Sequence, residues 1–295
     1  MKKIYLLFLL SFFALRIFAF PSDSTLTKFE IRPSATDTTI RNCGQALHLV
    51  VYDKSAKQGK LLLFMTGTGG VANKGPKDFF HTVVEQGYRL ISVSFIDTPA
   101  VAQVCHGDTI VKDSDCADEF RMRRMYGKDL NFNHINDGPH DAIVYRFVKL
   151  LQYLIKTDKD GNWGKYLDDN GNPKWSEIAV SGQSQGGGMA QYLGKHEMVY
   201  RVISFSGGWD FSGKDRIAHW YFSSNITPPD AWYGTYNVKE DAASLILQSY
   251  NALKIPKSHI YGLNLPVRDG RKAHTEGIGN PAYKQTWIEM LGKGN

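Results

Sequence analysis

Short apolar runs alternate with stretches of helical periodicity along most of this chain. The runs ALHLVVY at Ala46–Tyr52 and KLLLFM at Lys60–Met65, separated by the polar DKSAKQG, read as strands. A helix is expected from Pro76, with proline in its first turn and Gly87 as its stop, followed by a strand at Tyr88–Phe95. Residues 97–135 form a long irregular excursion with one short helical stretch, ADEFRMRRMYG. The clearest helix spans Asp141–Thr157, where Ile143, Val144, Phe147, Leu150, Leu151, Leu154 and Ile155 recur on one face. After a polar stretch from Asp158 to Pro173 come strand Glu177–Gly182, helix Gln185–His196, and strands Arg201–Ser206 and Trp232–Val238. Helix Ala242–Leu253, strand Ser258–Leu263 and a last helix from about Pro281 follow. Strands and helices in this alternation predict an α/β fold: one mostly parallel sheet with helices on both faces.

The first twenty residues stand apart. MKKIYLLFLLSFFALRIFAF carries two lysines and then an apolar run, Ile4–Leu15, shorter than the roughly 20 residues a membrane span needs. It is expected to be a secretory signal peptide ending at Ala19 or Phe20, with residues 21–295 as one domain in the secreted or periplasmic space. That changes the meaning of the charge. The full chain has 35 Lys and Arg against 29 Asp and Glu, a net of +6, which by itself invites a polyanion or membrane partner. Lys2, Lys3 and Arg16 leave with the leader and no acid does, which brings +6 to +3. No later window concentrates basic residues beyond Arg121, Arg123 and Arg124, which fit a solvated helix face, so neither a nucleic-acid partner nor a stable membrane anchor is expected.

With 42% hydrophobic residues, 22% charged and only 3 cysteines, the chain is neither disordered nor disulfide-dense. Cys105 and Cys116 lie in one loop-like stretch, and an oxidising compartment would let them pair, closing a loop that stabilises by about 3 kcal/mol. Cys43 is left over, expected buried and structural, and no zinc-ligand spacing occurs. Asp158-Lys-Asp160-Gly-Asn162 begins like a calcium loop, but Trp163 stands where glycine is needed, so a turn is expected. Asn225-Ile-Thr227 is a poor glycosylation sequon before Pro228. Gly67-x-Gly69-x-x-Ala72 fits a dinucleotide fingerprint, yet the helix after it starts too late to cap a phosphate.

The segment with chemistry is Gly182-Gln183-Ser184-Gln185-Gly186, a G-x-S-x-G placed between a strand and a helix. A serine on so tight a turn projects its hydroxyl above the sheet, and glycines two residues to either side avoid the clashes. The same turn sets the Gln185 N–H at a helix N-terminus, where it can stabilise an oxyanion.

With this motif, the order of its elements and Thr66-Gly67-Thr68-Gly69-Gly70 after strand Lys60–Met65, the chain resembles the α/β-hydrolase superfamily. The resemblance spans essentially all of residues 21–295 and is nearest a secreted branch with a Cys-paired loop. It implies that Thr68 or Gly69 donates a second oxyanion N–H. It also implies a triad in the chain order serine, acid, histidine. His274, in RDGRKAHTEG before the last helix, is the expected base; His259, inside the strand pattern SHIYGLNL, reads as structural. Asp241, after strand Trp232–Val238, is the expected acid, with Asp210 as an alternative and Glu240 as a neighbour easily confused with it. The implied activity is cleavage of carboxylic esters on small molecules or polymers through an acyl-enzyme, with no cofactor or metal. The rival is a binding protein built on the same scaffold with the triad idle. Trp209, Trp220, Tyr221, Trp232 and Tyr233 cluster late in the chain, either as pocket walls or as core.

Overall fold

The computed structural model describes residues 25–295 apart from 129–130 and 214–215, so the expected leader at 1–20 lies outside the described residues. In chain order the strands are β1 (Leu26–Ile31), β2 (His48–Asp53), β3 (Leu61–Met65), β4 (Arg89–Ser92), β5 (Ile178–Gln183), β6 (Arg201–Phe205), β7 (Phe211–Gly213), β8 (Arg216–Ile217), β9 (Trp232–Asn237) and β10 (Ile260–Leu263). The helices are α1 (Pro33–Thr36), α2 (Lys77–Glu85), α3 (Val101–Val104), α4 (Asp108–Lys112), α5 (Cys116–Tyr126), α6 (Ile143–Thr157), α7 (Gln185–His196), α8 (Ala243–Ala252), α9 (Ala273–Gly279) and α10 (Lys284–Leu291).

Among the described residues eight strands form one sheet in the order β1-β2-β4-β3-β5-β6-β9-β10, and β7 pairs with β8 in a separate two-stranded sheet. From β4 to β10 all pairs are parallel, while β2 runs antiparallel to both of its neighbours. The all-apolar sequence of β3 follows from its place at the centre, because both of its faces are covered. Leu61, Leu63 and Met65 enter the core layer shared with α5, α6, α7 and α8. Leu62 and Phe64 enter the opposite layer, with α2, α9 and α10. Burying each such side chain stabilises the fold by about 1.5–3 kcal/mol. The helical stripe of α6 is buried as its spacing requires, at Ile143, Phe147, Leu150, Leu151 and Leu154. This is the α/β architecture expected from the sequence, one mostly parallel sheet with helices on both faces.

The sheet order also positions the site. From β3 the chain adds β4 on one side and later β5 on the other, which opens a crevice at the carboxyl ends of β3 and β5. Met65 pairs with Gly182, so the turns TGTGG and GQSQG leave the sheet side by side.

Several elements differ from the expectation. Strand β1 was not expected, because LTKFEI puts Lys28 and Glu30 on one face; on the sheet edge these two form an ion pair at 2.6 Å in place of a hydrophobic face. The excursion 97–135 holds α3, α4 and α5, with Cys105 at the end of α3 joined by a disulfide to Cys116 at the start of α5. Cys43 is free and half-buried, and burial pushes its thiol pKa up. The calcium-like turn has its acid otherwise engaged: Asp158 accepts hydrogen bonds from the Tyr52 hydroxyl and from Trp163 Nε1.

His48, at the start of β2, is fully buried and accepts the Ser94 N–H on Nδ1 at 2.9 Å. Burial, with Arg146 as the second cause, lowers its pKa from 6.5 to about 3. The folded protein therefore resists a proton that the unfolded chain takes up. The resulting stability is complete above pH 6.5 and declines as the pH falls toward about 3, at up to about 1.4 kcal/mol per pH unit. His48→Asn, which keeps an acceptor for Ser94, is expected to flatten the acid dependence of the urea midpoint over that window. An unchanged slope would show that folded His48 binds the proton.

Candidate active site

Ser184 sits between β5 and α7 with φ 56° and ψ −121°, a backbone conformation that non-glycine residues rarely adopt. Its N–H is held by the Phe205 carbonyl at 2.9 Å and its carbonyl by the Gly188 N–H at 3.0 Å, so the turn is fixed on both sides. The flanking glycines are a steric requirement. A Cβ on Gly186 would lie 2.1 Å from the Met65 carbonyl oxygen, and one on Gly182 would lie 2.3 Å from the Gly186 backbone. The strained turn is thus wedged against the end of β3.

Gln185 begins α7, which gives its N–H the helix N-terminal position. Its side chain ties the elbow to the start of the excursion: Nε2 donates to the Asp97 carbonyl at 2.6 Å, and Oε1 accepts the Val101 N–H at 3.1 Å. Thr68 is exposed and lines the same cavity as Ser184. Gly69 has φ +71°, and its N–H and that of Gly70 face Asp97. Burial raises the Asp97 carboxyl pKa, and these N–H groups, Thr98 and Arg124 only partly oppose it. Of the two oxyanion candidates in this loop, Thr68 lines the cavity at Ser184.

His274 is the second residue of α9 rather than part of a loop. Gln183 Nε2, one residue before the serine, donates to the His274 carbonyl at 3.2 Å and so brings α9 beside the elbow. The carboxylate against His274 is that of Glu240, not the expected Asp241. His274 Nδ1 donates to Glu240 Oε2 at 2.6 Å, and the Glu240 side chain is only 2% exposed. Glu240 Oε1 accepts the Ser206 hydroxyl at 2.6 Å and the Asn237 N–H at 2.7 Å. The tight turn after β9, closed by the Glu240 N–H on the Asn237 carbonyl, directs Glu240 inward and leaves Asp241 exposed to solvent. Ser206 itself has φ 45°. Trp209 stands edge-on to the His274 ring at 5.5 Å. Sequence reasoning had no role for Gln183 or Ser206 here, and placed Trp209 only in a cluster. His259 is elsewhere: its Nδ1 donates to the Trp232 carbonyl at 3.1 Å and its ring stacks on Tyr233.

Asp210, the alternative acid, is buried in a two-point ion pair with Arg121, through Nε and, at 2.7 Å, Nη2. Trp220 Nε1 donates to it at 3.0 Å. Its lone pairs are committed to those partners. Asp210→Ala is expected to leave a buried guanidinium without its counter-ion and to cost about 3–5 kcal/mol in urea unfolding. A cost under about 1 kcal/mol would show that water compensates Arg121.

Ser184 opens on a cavity of about 120 Å³ between the elbow, the start of α3 and residues 208–211. Among the described residues, no group of three His, Cys, Asp or Glu is placed to hold a metal ion, and no helix is long and apolar enough to cross a membrane.

No family model matches the sequence, and no curated protein does. Solved structures do. An esterase from the bacterial hormone-sensitive lipase family is 12% identical over 93% of this chain and 87% of its own, with a TM-score of 0.49. An α/β hydrolase, MGS-M1, from a Medee basin deep-sea metagenome library is 11% identical over 90% of this chain and 98% of its own, at 0.45. An esterase of Pyrococcus furiosus is 11% identical over 90% of each chain, at 0.47. With identities this low and TM-scores below 0.5, what these proteins act on does not carry over to this one.

Proposed function

We propose that this chain is an exported serine hydrolase that cleaves carboxylic esters through Ser184, His274 and Glu240. The observation that carries the reading is the pairing of a strained serine elbow with a histidine whose Nδ1 is held by a buried carboxylate. Glu240 fixes the tautomer that leaves His274 Nε2 free to act as a base and would stabilise the imidazolium once formed. In the first step Ser184 Oγ attacks the ester carbonyl carbon as its proton passes to His274 Nε2. The N–H groups of Gln185 and Thr68 receive the oxyanion. The intermediate collapses, the C–O bond to the alcohol breaks, and the alcohol leaves with the proton from His274. Water then attacks the acyl-enzyme, giving its proton to the same nitrogen, and releases the acid and Ser184. Export is supported by the leader pattern at 1–20 and by the Cys105–Cys116 disulfide.

The test is release of nitrophenolate from p-nitrophenyl esters by the folded, disulfide-intact protein. Turnover is expected, and its absence on every ester tried would remove the reading.

A further inference from the structure

From the cavity at Ser184 we infer that this hydrolase is specific for short acyl groups of two to four carbons, which occupy the space bounded by Val101, Ala102, Trp209 and Phe211. The inference rests on the proposed ester hydrolysis and names its substrate class.

The cavity measures about 120 Å³, well below the roughly 300–1,000 Å³ of sites that enclose a drug-sized ligand. A recess this small beside the serine favours a short acyl chain over a long one. The walls near the serine are small or apolar: Ala100, Val101 and Ala102 at the start of α3, then Trp209 and Phe211 opposite. Such walls favour a hydrocarbon chain over a sugar ring or a charged group.

Part of the cavity's boundary is fixed by more than packing. Arg121 and Asp210 both line it, locked to each other with the Trp220 N–H on the same carboxylate. Displacing either to admit a longer chain would leave the other charge buried and unpaired. Gly188, in the first turns of α7, leaves room for the guanidinium: a Cβ there would meet Arg121 Nη2. Cys105 lines the cavity too, and its disulfide ties α3 to the start of α5, the helix that carries Arg121. Two walls of the site are therefore covalently joined, and the Gln185 side chain holds the third to α3. A site stapled in this way discriminates by size, since a misfit cannot be relieved by moving one loop.

The measurement is kcat/KM for p-nitrophenyl esters from acetyl to dodecanoyl, below the critical micelle concentrations. The wild type is expected to peak between acetyl and butyryl and to fall at least tenfold by octanoyl. Phe211→Ala removes a wall and is expected to raise the octanoyl-to-butyryl ratio about tenfold. Ala102→Phe, at an exposed position that also lines the cavity, tests the same point without opening the core: it is expected to depress butyryl against acetyl. A wild-type optimum at octanoyl or beyond, or profiles of both variants superimposing on the wild type, would overturn the inference while leaving ester hydrolysis intact. Failure to turn over any ester counts against the proposed function instead.

Discussion

Glu240→Gln is expected to lower kcat for a short p-nitrophenyl ester by about 10³–10⁴-fold with little change in KM, whereas Asp241→Asn, one residue on, changes it less than threefold. The contrast follows from the turn after β9. Glu240 is buried, and its two oxygens accept from His274, Ser206 and Asn237, while Asp241 faces solvent. Glutamine is nearly isosteric, but its amide can present an N–H to Nδ1 and so favour the tautomer that carries its proton on Nε2, the wrong nitrogen for a base. The fold should hold, because the side chain can still accept from Asn237 and Ser206. Near-wild-type kcat in Glu240→Gln, or a large loss in Asp241→Asn, would reassign the acid. Circular dichroism and urea midpoints of both variants separate a lost orientation from a lost fold.

Ser184→Ala carries the largest expected effect, a fall in kcat of about 10⁶-fold, as when a serine nucleophile is removed from a triad. Only the hydroxyl is deleted. The backbone bonds that hold the elbow, from the Ser184 N–H to Phe205 and from the Gly188 N–H to the Ser184 carbonyl, do not use that hydroxyl. Alanine tolerates φ 56° no better than serine does, so the stability change is expected to stay within about 1 kcal/mol. Some acceleration over water should survive from the oxyanion donors and ester binding alone. A loss of less than tenfold would show that another group attacks the ester.

How much of this was legible in the sequence differs by residue. The elbow was legible because its constraint is local: glycines two residues either side of a serine, with an apolar strand before and a helix after, leave few alternatives. The central strands were legible because burial on both faces forces continuous apolar runs such as LLLFM. The acid was not. Glu240 and Asp241 are adjacent carboxylates in a turn, and periodicity does not say which of two neighbours faces inward. A cue was present in Asn237-Val-Lys-Glu240, where the glutamate reaches back to the N–H three residues earlier as in a capping box. Strand β1 escaped because an edge strand can keep charged residues on one face. The cavity was the least legible feature, since its walls come from residues 100–105, 121 and 208–211 and depend on an ion pair across eighty-nine positions of sequence. Composition carried no cue to it, because the net charge of +6 lies partly in the leader and says nothing of a small, largely apolar recess.

The central claim is that Ser184 is a nucleophile activated by His274. It is tested most directly by treating the folded protein with a fluorophosphonate and measuring the intact mass, followed by peptide mapping. The account predicts one phosphonyl group per chain, located on Ser184, absent in Ser184→Ala and formed far more slowly in His274→Ala. Equal labelling of wild type and Ser184→Ala, or no labelling of a wild type that hydrolyses esters, would contradict it.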